Sequence, residues 1–134
     1  MSLRAIPLLI FVFILYNIIV MSFGVEGLDQ PLFSFTLLSG GVFTFKWSDL
    51  ILLVTLILLF VEIVKSTFTS TSTLIDHALS MIVFMAIGLE FLTVAQAATS
   101  VFFLILVAAL IDVIAGYTIG IRVARRDLSI GGDQ

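Results

Sequence analysis

The sequence predicts an all-α integral membrane protein: a four-helix transmembrane bundle with an extracytoplasmic β-hairpin between helices 1 and 2. The first observation is composition, since 61% of the 134 residues are hydrophobic and only 11% are charged. A soluble domain averages about 25% charged residues. The second is a mean hydropathy of +1.31, more apolar surface than so short a chain can bury in its own core. The third is a series of four long apolar runs.

Each of these runs approaches the roughly 20 residues that cross a hydrocarbon layer of about 30 Å. The predicted spans are Ala5–Ser22, Trp47–Lys65, Leu74–Ala95 and Ala98–Ile121. The first run is longer than the roughly 7–15 apolar residues of a signal peptide, so it is interpreted as a retained anchor. All of residues 1–134 then form one membrane domain that ends in a cytoplasmic tail at 122–134.

The basic residues predict the orientation of the spans. Arg4, Lys65 and three arginines at 122–126 lie on one side of a four-span arrangement. The loop after the first span has two acidic residues against Lys46 alone. Because cytoplasmic segments carry an excess of Lys and Arg, both termini are expected in the cytoplasm.

Residues 32–47 alternate in side-chain character on both sides of Gly40-Gly41, which predicts the hairpin. A three-residue turn at Ser39-Gly40-Gly41 gives the most consistent pairing. That register pairs Leu37 with Phe43, Phe35 with Phe45, and Phe33 with Trp47. The apolar face then consists of Phe33, Phe35, Leu37, Phe43, Phe45 and Trp47. An isolated hairpin is marginal in water, so this face is expected to rest either on the membrane interface or on another protomer or protein.

Asp112 lies in the middle of the fourth span, about 15 Å along the helix from Arg122. A carboxylate at this depth costs roughly 2.5–3.5 kcal/mol to insert. Its neighbours at helical spacing are Ala108, Gly116 and Gly120, small residues that permit close helix packing. Asp112 is therefore expected to face protein, either as a protonated hydrogen-bond donor between helices or as a proton- or cation-handling group.

Further ionisable residues lie near the cytoplasmic ends of the second and third spans. Glu62 and Lys65 are expected to pair within their helix, with Lys65 extending to the interface. Asp76 and His77 begin the third span on the same side. His77 either bridges to Glu62 and titrates near neutral pH, or serves as a hydrogen-bonded packing residue.

Glu90 lies toward the outer end of the third span, where Asn17 of the first span is expected to meet it. Carboxylates then occur at three depths, as a proton or cation path requires, although separate structural pairs produce the same pattern. The sequence has one histidine, no cysteine and no nucleotide-binding loop. We therefore expect neither an enzyme activity nor a bound metal or cofactor. The sequence has no basic patch with interleaved aromatic residues, so nucleic-acid binding is not expected.

The C-terminal two-thirds of the chain contains Phe60-Val-Glu-Ile-Val-Lys65, Ile75-Asp-His-Ala-Leu-Ser80, Leu89-Glu-Phe91, Asp112-Val-Ile-Ala-Gly116 and Arg125-Arg126. This pattern resembles a set of small four-span bacterial inner-membrane proteins with no assigned function. The resemblance implies a location in the bacterial inner membrane and brings no activity or site. Small multidrug transporters are similar only in size and span count, because their key glutamate lies in the first span, where this chain has none.

Two functions follow from these observations. The first is a non-enzymatic membrane protein that assembles with copies of itself or serves as an accessory subunit of a membrane complex. The hairpin face and the Gly-x-x-x-Gly pattern favour it. The alternative is a proton- or cation-conducting channel or transporter that uses the intramembrane carboxylates. The expected partners are the lipid bilayer and either a homo-oligomer or another membrane protein.

Overall fold

The computed structural model describes residues 6–68 and 71–132, and the predicted start of the first span at Ala5 lies outside them. Four helices and one hairpin account for nearly all of this part of the chain. The helices are α1 (Leu9–Phe23), α2 (Trp47–Lys65), α3 (Thr71–Thr93) and α4 (Ser100–Gly132). The strands are β1 (Pro31–Thr36) and β2 (Val42–Lys46), and short 3-10 turns cover Val25–Asp29 and Ala95–Ala97. A mostly helical chain with a hairpin between its first two helices is therefore confirmed.

Three helices have the length and apolar composition to cross a membrane: Trp47–Lys65, Leu74–Thr93 and Ser100–Arg122. By contrast α1 is apolar but has only 15 residues, about 22 Å at 1.5 Å per residue. It ends because Gly24 adopts a φ of 75°, which side-chain-bearing residues rarely take. At the other end of the chain, α4 continues to Gly132 through the segment predicted to be a tail.

The apolar core is built on one face of α1. Its buried residues are Leu9, Val12, Tyr16, Ile19 and Val20, spaced as a single face of a helix requires. Residues from the other elements complete this core, namely Leu28, Ile51, Val83, Ile87, Ala97, Val101, Phe102, Ile105 and Ala109. The core extends along α1 from Leu9 to Val20, and several buried polar side chains lie beside its start.

The hairpin forms where it was predicted, but its register differs. Phe33 pairs with Phe45 and Phe35 pairs with Phe43 in an antiparallel ladder. The predicted pairing of Phe33 with Trp47 and Phe35 with Phe45 is therefore wrong by two residues. A shift of two residues leaves the four phenylalanines on one face, as predicted, because side chains alternate with a period of two.

The turn explains the difference in register. The Leu37 N–H donates to Gly41 O at 2.8 Å, and the Gly40 N–H donates to Leu37 O at 2.9 Å. The loop residues are thus Leu38, Ser39 and Gly40 instead of Ser39-Gly40-Gly41. A loop of this kind ends in a residue with left-handed backbone, and Gly40 takes that position with a φ of 88°. With two adjacent glycines available, the loop uses the first.

Trp47 leaves the hairpin face and opens α2. Its N–H donates to Gln30 O at 3.2 Å, and its side chain is half-buried against the core. Asp49 in the first turn accepts the Lys46 N–H at 3.0 Å, which satisfies a backbone donor at the helix start. The strand β2 therefore passes into α2 without an intervening loop.

Candidate functional site

Ionisable and polar side chains meet at the end of the bundle where α1 begins, α2 ends and α3 begins, beside the second half of α4. Because α2 and α3 are consecutive helices joined by a short connection, the last turn of one lies near the first turns of the other. We call this group the polar cluster, and its members are Glu62, Lys65, Asp76, His77, Ser80 and Asp112. All of them except Lys65 are among the buried polar residues of the described chain.

Lys65 lies at the centre of the ion pairs. Its Nζ is 3.0 Å from Glu62 Oε1 and 3.4 Å from Asp76 Oδ1, and it donates to Ile6 O at 2.8 Å. The side chain of Lys65 is 16% exposed, whereas those of the two carboxylates are 1% and 2% exposed. The predicted pair with Glu62 forms, but Lys65 points inward instead of extending to the interface. The three oxygens match the three donors of an ammonium group.

Glu62 also holds the start of α1. Its Oε1 accepts the Leu8 N–H at 2.7 Å. The first amides of a helix have no partner inside the helix, and a negative charge there is favourable. Since Leu8 has no polar side chain that could cap α1, an acceptor must come from another element. The missing capping residue is the signal from which this contact could have been predicted.

His77 packs against the two glycines of α4. A Cβ atom at Gly116 would lie 2.9 Å from the Nδ1 and Cε1 atoms of His77, and one at Gly120 would lie 3.2 Å from Nε2. The imidazole ring is also 5.4 Å from the ring of Tyr117. The small-residue stripe predicted to admit a helix backbone therefore admits the imidazole of α3. His77 Nε2 is buried and has no hydrogen-bond partner among the described residues, so the predicted bridge from this atom to Glu62 is not formed.

Asp112 faces α3 and is 4% exposed. The Ser80 hydroxyl lies beside its carboxyl group, and the charges of Glu62 and Lys65 also act on it. The contact with Ser80 lies outside standard hydrogen-bond geometry, which leaves Ser80 Oγ buried without a partner in the described part of the chain. The expectation that Asp112 faces protein agrees with this position, on the same side of α4 as the buried Ala108.

The polar cluster contains more acid than base. Two carboxyl groups contact one ammonium group, the Asp112 carboxyl group lies within range of its charge, and the imidazole lies within range of the Glu62 and Lys65 charges. A buried carboxylate without a cation is strongly unfavourable. Within residues 6–68 and 71–132, no group of three or more acids and histidines is arranged to hold a metal ion. Proton binding by one of the carboxyl groups would remove part of this excess negative charge.

Glu90 and Asn17 lie nearer the hairpin end and do not join the polar cluster. The Asn17 amide donates at 2.9 Å to a backbone carbonyl one turn earlier in α1. Glu90 Oε2 is buried without a partner in the described residues, and its charge acts on Tyr16. The Tyr16 hydroxyl donates to Gln96 O at 2.8 Å. Tyr16, not Asn17, is thus the residue of α1 that the structure associates with Glu90.

Apolar residues separate Glu90 from the polar cluster along α3. The inward face of this helix runs from Ser80 through Val83 and Ile87 before it reaches Glu90. Val83 is 9% exposed and Ile87 is fully buried at 0%. Ten residues of helix span about 15 Å, so the carboxylates at different depths do not form a continuous polar line on α3.

The hairpin provides a second candidate surface. We call it the phenylalanine face, and it consists of Phe33, Phe35, Phe43 and Phe45. The ring centroids are 5.1 Å apart for Phe33 and Phe45 and 5.5 Å apart for Phe35 and Phe43. Phe33 and Phe35 remain 49% and 51% exposed. Leu37, predicted on the same face, lies at the tip and is 46% exposed, so most of this aromatic surface has no cover within the described chain.

Function has to be inferred from these two sites themselves. No protein-family model, no curated protein and no solved structure matches this chain. The resemblance to small four-span bacterial inner-membrane proteins therefore stays a prediction.

Proposed function

We propose that the chain is an integral membrane protein of the bacterial inner membrane, with four spans, cytoplasmic termini and the hairpin on the opposite side. Three helices of sufficient length and apolar composition support insertion. The contact of Glu62 with Leu8 supports α1 as the fourth span, because it holds the start of α1 beside the end of α2. The distribution of Lys and Arg in the sequence supports the orientation.

Within the membrane, the polar cluster binds and releases protons, and the protein acts in proton-coupled transport. The observation that carries this proposal is a cluster with three buried carboxyl groups and a single ammonium group, which contacts only two of them. One ion pair is enough to fix two helices together. Additional buried carboxyl groups lower stability unless they bind protons, and intramembrane acids of this kind belong mainly to proton and ion pathways.

The apolar stretch on α3 favours coupled transport over an open channel. A channel needs a continuous line of polar groups or water, whereas Val83 and Ile87 separate the polar cluster from Glu90. A protein that alternates between two conformations needs access from only one side at a time. Proton binding at Asp112 then shifts the balance between those conformations.

Infrared spectroscopy on the purified protein tests proton binding directly. Lowering the pH should produce the carbonyl band of a protonated carboxyl group in the wild type, and Asp112→Asn should remove that band. Asp29→Asn is the matched control, because Asp29 is an exposed carboxylate outside the polar cluster. A wild-type protein without a pH-dependent carboxyl band attributable to Asp112 would contradict the proposal. Proteoliposomes that contain a pH-sensitive dye then report whether protons cross the bilayer.

A second candidate function is assembly, either with further copies or as an accessory subunit of a membrane complex. The exposed phenylalanine face supports it. The sheet has only two strands, so each strand also has one edge with backbone groups available for pairing with another strand. Both features suit an interface that forms between proteins.

Crosslinking in native membranes tests assembly. The wild type should give a discrete oligomer or a complex with one fixed partner, and Phe35→Ser should weaken that product. Val42→Ser is the control, since Val42 is 70% exposed but lies on the opposite face of the hairpin. A strict monomer without a partner, or equal crosslinking of both variants, would argue against this function.

A further inference from the structure

The imidazole of His77 extends along α4 from Gly116 to Gly120. Asp112, Gly116 and Gly120 follow one another at intervals of four residues, about 6 Å of helix axis for each interval. The atoms of His77 nearest Gly116 are Nδ1 and Cε1, and those nearest Gly120 are Nε2 and Cδ2. One ring nitrogen therefore lies one turn from Asp112. The other lies a further turn toward Arg122 and the predicted cytoplasmic end.

Two buried polar atoms accompany this arrangement without partners among the described residues, His77 Nε2 and Ser80 Oγ. The two residues are 6% and 4% exposed. Ser80 follows His77 by three residues on α3, so the two side chains share a helix face, and its hydroxyl lies beside the Asp112 carboxyl. A histidine kept only for packing normally has its ring nitrogens satisfied. An unpartnered nitrogen can take up or release a proton.

We propose that His77 passes protons between the predicted cytoplasmic end of the bundle and Asp112. The inference rests on the proposed proton function and names the residue through which the polar cluster exchanges protons. When the packing around Nε2 opens to water, a hydronium ion gives its proton to Nε2 and leaves water and the imidazolium ion. The Ser80 hydroxyl, which has no partner among the described residues in the packed state, then rotates to accept the Nδ1 proton as it gives its own proton to the Asp112 carboxylate. At His77 one N–H bond forms and one breaks, the O–H bond lost by hydronium is replaced by one on Asp112, and Ser80 ends unchanged.

The surrounding charges suit such a carrier. The titratable groups that act on or contact His77 are Glu62 and Lys65 from α2 and Tyr117 from α4. On the same two helices as His77 and Tyr117, Asp76 is the preceding residue of α3 and Asp112 lies one turn before Gly116 on α4. The described start of α1 contributes backbone groups of Ile6 and Leu8, not a charged side chain. The carboxylate of Glu62 stabilises the transient imidazolium ion, while the ammonium group of Lys65 opposes its accumulation.

A pH-jump experiment on the detergent-solubilised protein separates this inference from the proposed function. The amplitude of the Asp112 carboxyl band reports proton binding, and its rate of appearance reports the route. His77→Ala should keep the amplitude and slow the rate by roughly a hundredfold, the lower end of what a positioned proton-transfer group contributes. Free imidazole in the buffer should restore the rate, because the truncated side chain leaves room for it beside Gly116.

His77→Gln is the packing control, since glutamine fills similar space and forms hydrogen bonds without carrying a proton. It should be as slow as His77→Ala. A wild-type rate in either variant would overturn the role of His77, and so would slow variants that imidazole does not accelerate, because packing damage alone produces that result. A wild type without the Asp112 band would overturn the proton function itself. The amplitude of the band thus tests the proton function, and its rate of appearance tests the role of His77 separately.

Discussion

The contact between His77 and Gly116 provides the most direct test of how α3 and α4 pack. A Cβ atom at Gly116 would lie 2.9 Å from two atoms of the imidazole, closer than a Cβ atom approaches other heavy atoms in real structures. Gly116→Ala therefore requires the ring to move within a closely packed site, and such overpacking typically costs about 1–3 kcal/mol. Replacing glycine by alanine inside a helix also contributes about 1 kcal/mol of stabilisation.

Gly88→Ala isolates the packing effect from the helix effect. Gly88 is also a helical glycine, but its Cβ would lie 3.7 Å from Leu106 Cδ1, an ordinary contact. Since both substitutions gain the same helix propensity, the difference between them is the overpacking energy, about 1–3 kcal/mol in favour of Gly88→Ala. Equilibrium unfolding in detergent or bicelles measures both free energies of unfolding.

A double-mutant cycle completes this test. His77→Ala removes the ring that the new methyl group would meet, so Gly116→Ala should cost much less in the His77→Ala background. If Gly116→Ala is as stable as Gly88→Ala, the close approach of His77 is wrong. An equal cost of Gly116→Ala in both backgrounds would likewise exclude His77 as its cause.

Two further substitutions address the ion pairs and the turn. Lys65→Met leaves buried carboxylates without their cation and should lower the free energy of unfolding by about 3–5 kcal/mol. Adding Asp76→Asn to this variant should recover part of the lost stability. An unchanged unfolding curve for Lys65→Met alone would refute the stabilising role of the ion pairs. Gly40→Ala should destabilise the hairpin by about 1 kcal/mol, because alanine disfavours positive φ. Hydrogen exchange of the Leu37 amide reports this loss, and equal exchange in Gly40→Ala and Gly41→Ala would contradict the assigned turn.

The parts of the fold that depend on local pattern were predictable from the sequence. Apolar runs indicated the helices, and the alternation around Gly40 indicated the hairpin and its faces. The turn was misplaced by one residue because two adjacent glycines both permit a left-handed backbone, and local pattern does not distinguish them. The fourth apolar span was predicted to end at Ile121, within one residue of the apolar segment Ser100–Arg122, while the helix itself continues to Gly132 because the loss of apolar residues does not end a helix.

The candidate site was predictable in its members but not in its contacts. The sequence indicated that Glu62, Asp76 and His77 lie near the same end, and that Asp112 faces protein. It did not indicate that Lys65 turns inward, because two of its three oxygen partners come from outside α2: Ile6 O precedes α1, and Asp76 belongs to α3. Such partners depend on tertiary packing, which spacing along one helix does not specify. The separation of Asn17 from Glu90 has the same origin.

The direct passage from β2 into α2 has a consequence for the membrane protein proposed above. With no loop residue between Lys46 and Trp47, the hairpin has no flexible joint and turns with the helix axis. A transmembrane helix adjusts to membrane thickness by tilting. A thinner or thicker bilayer would therefore change the angle that the aromatic rings of the hairpin make with the membrane surface, so lipid composition and the exposure of this surface are mechanically linked.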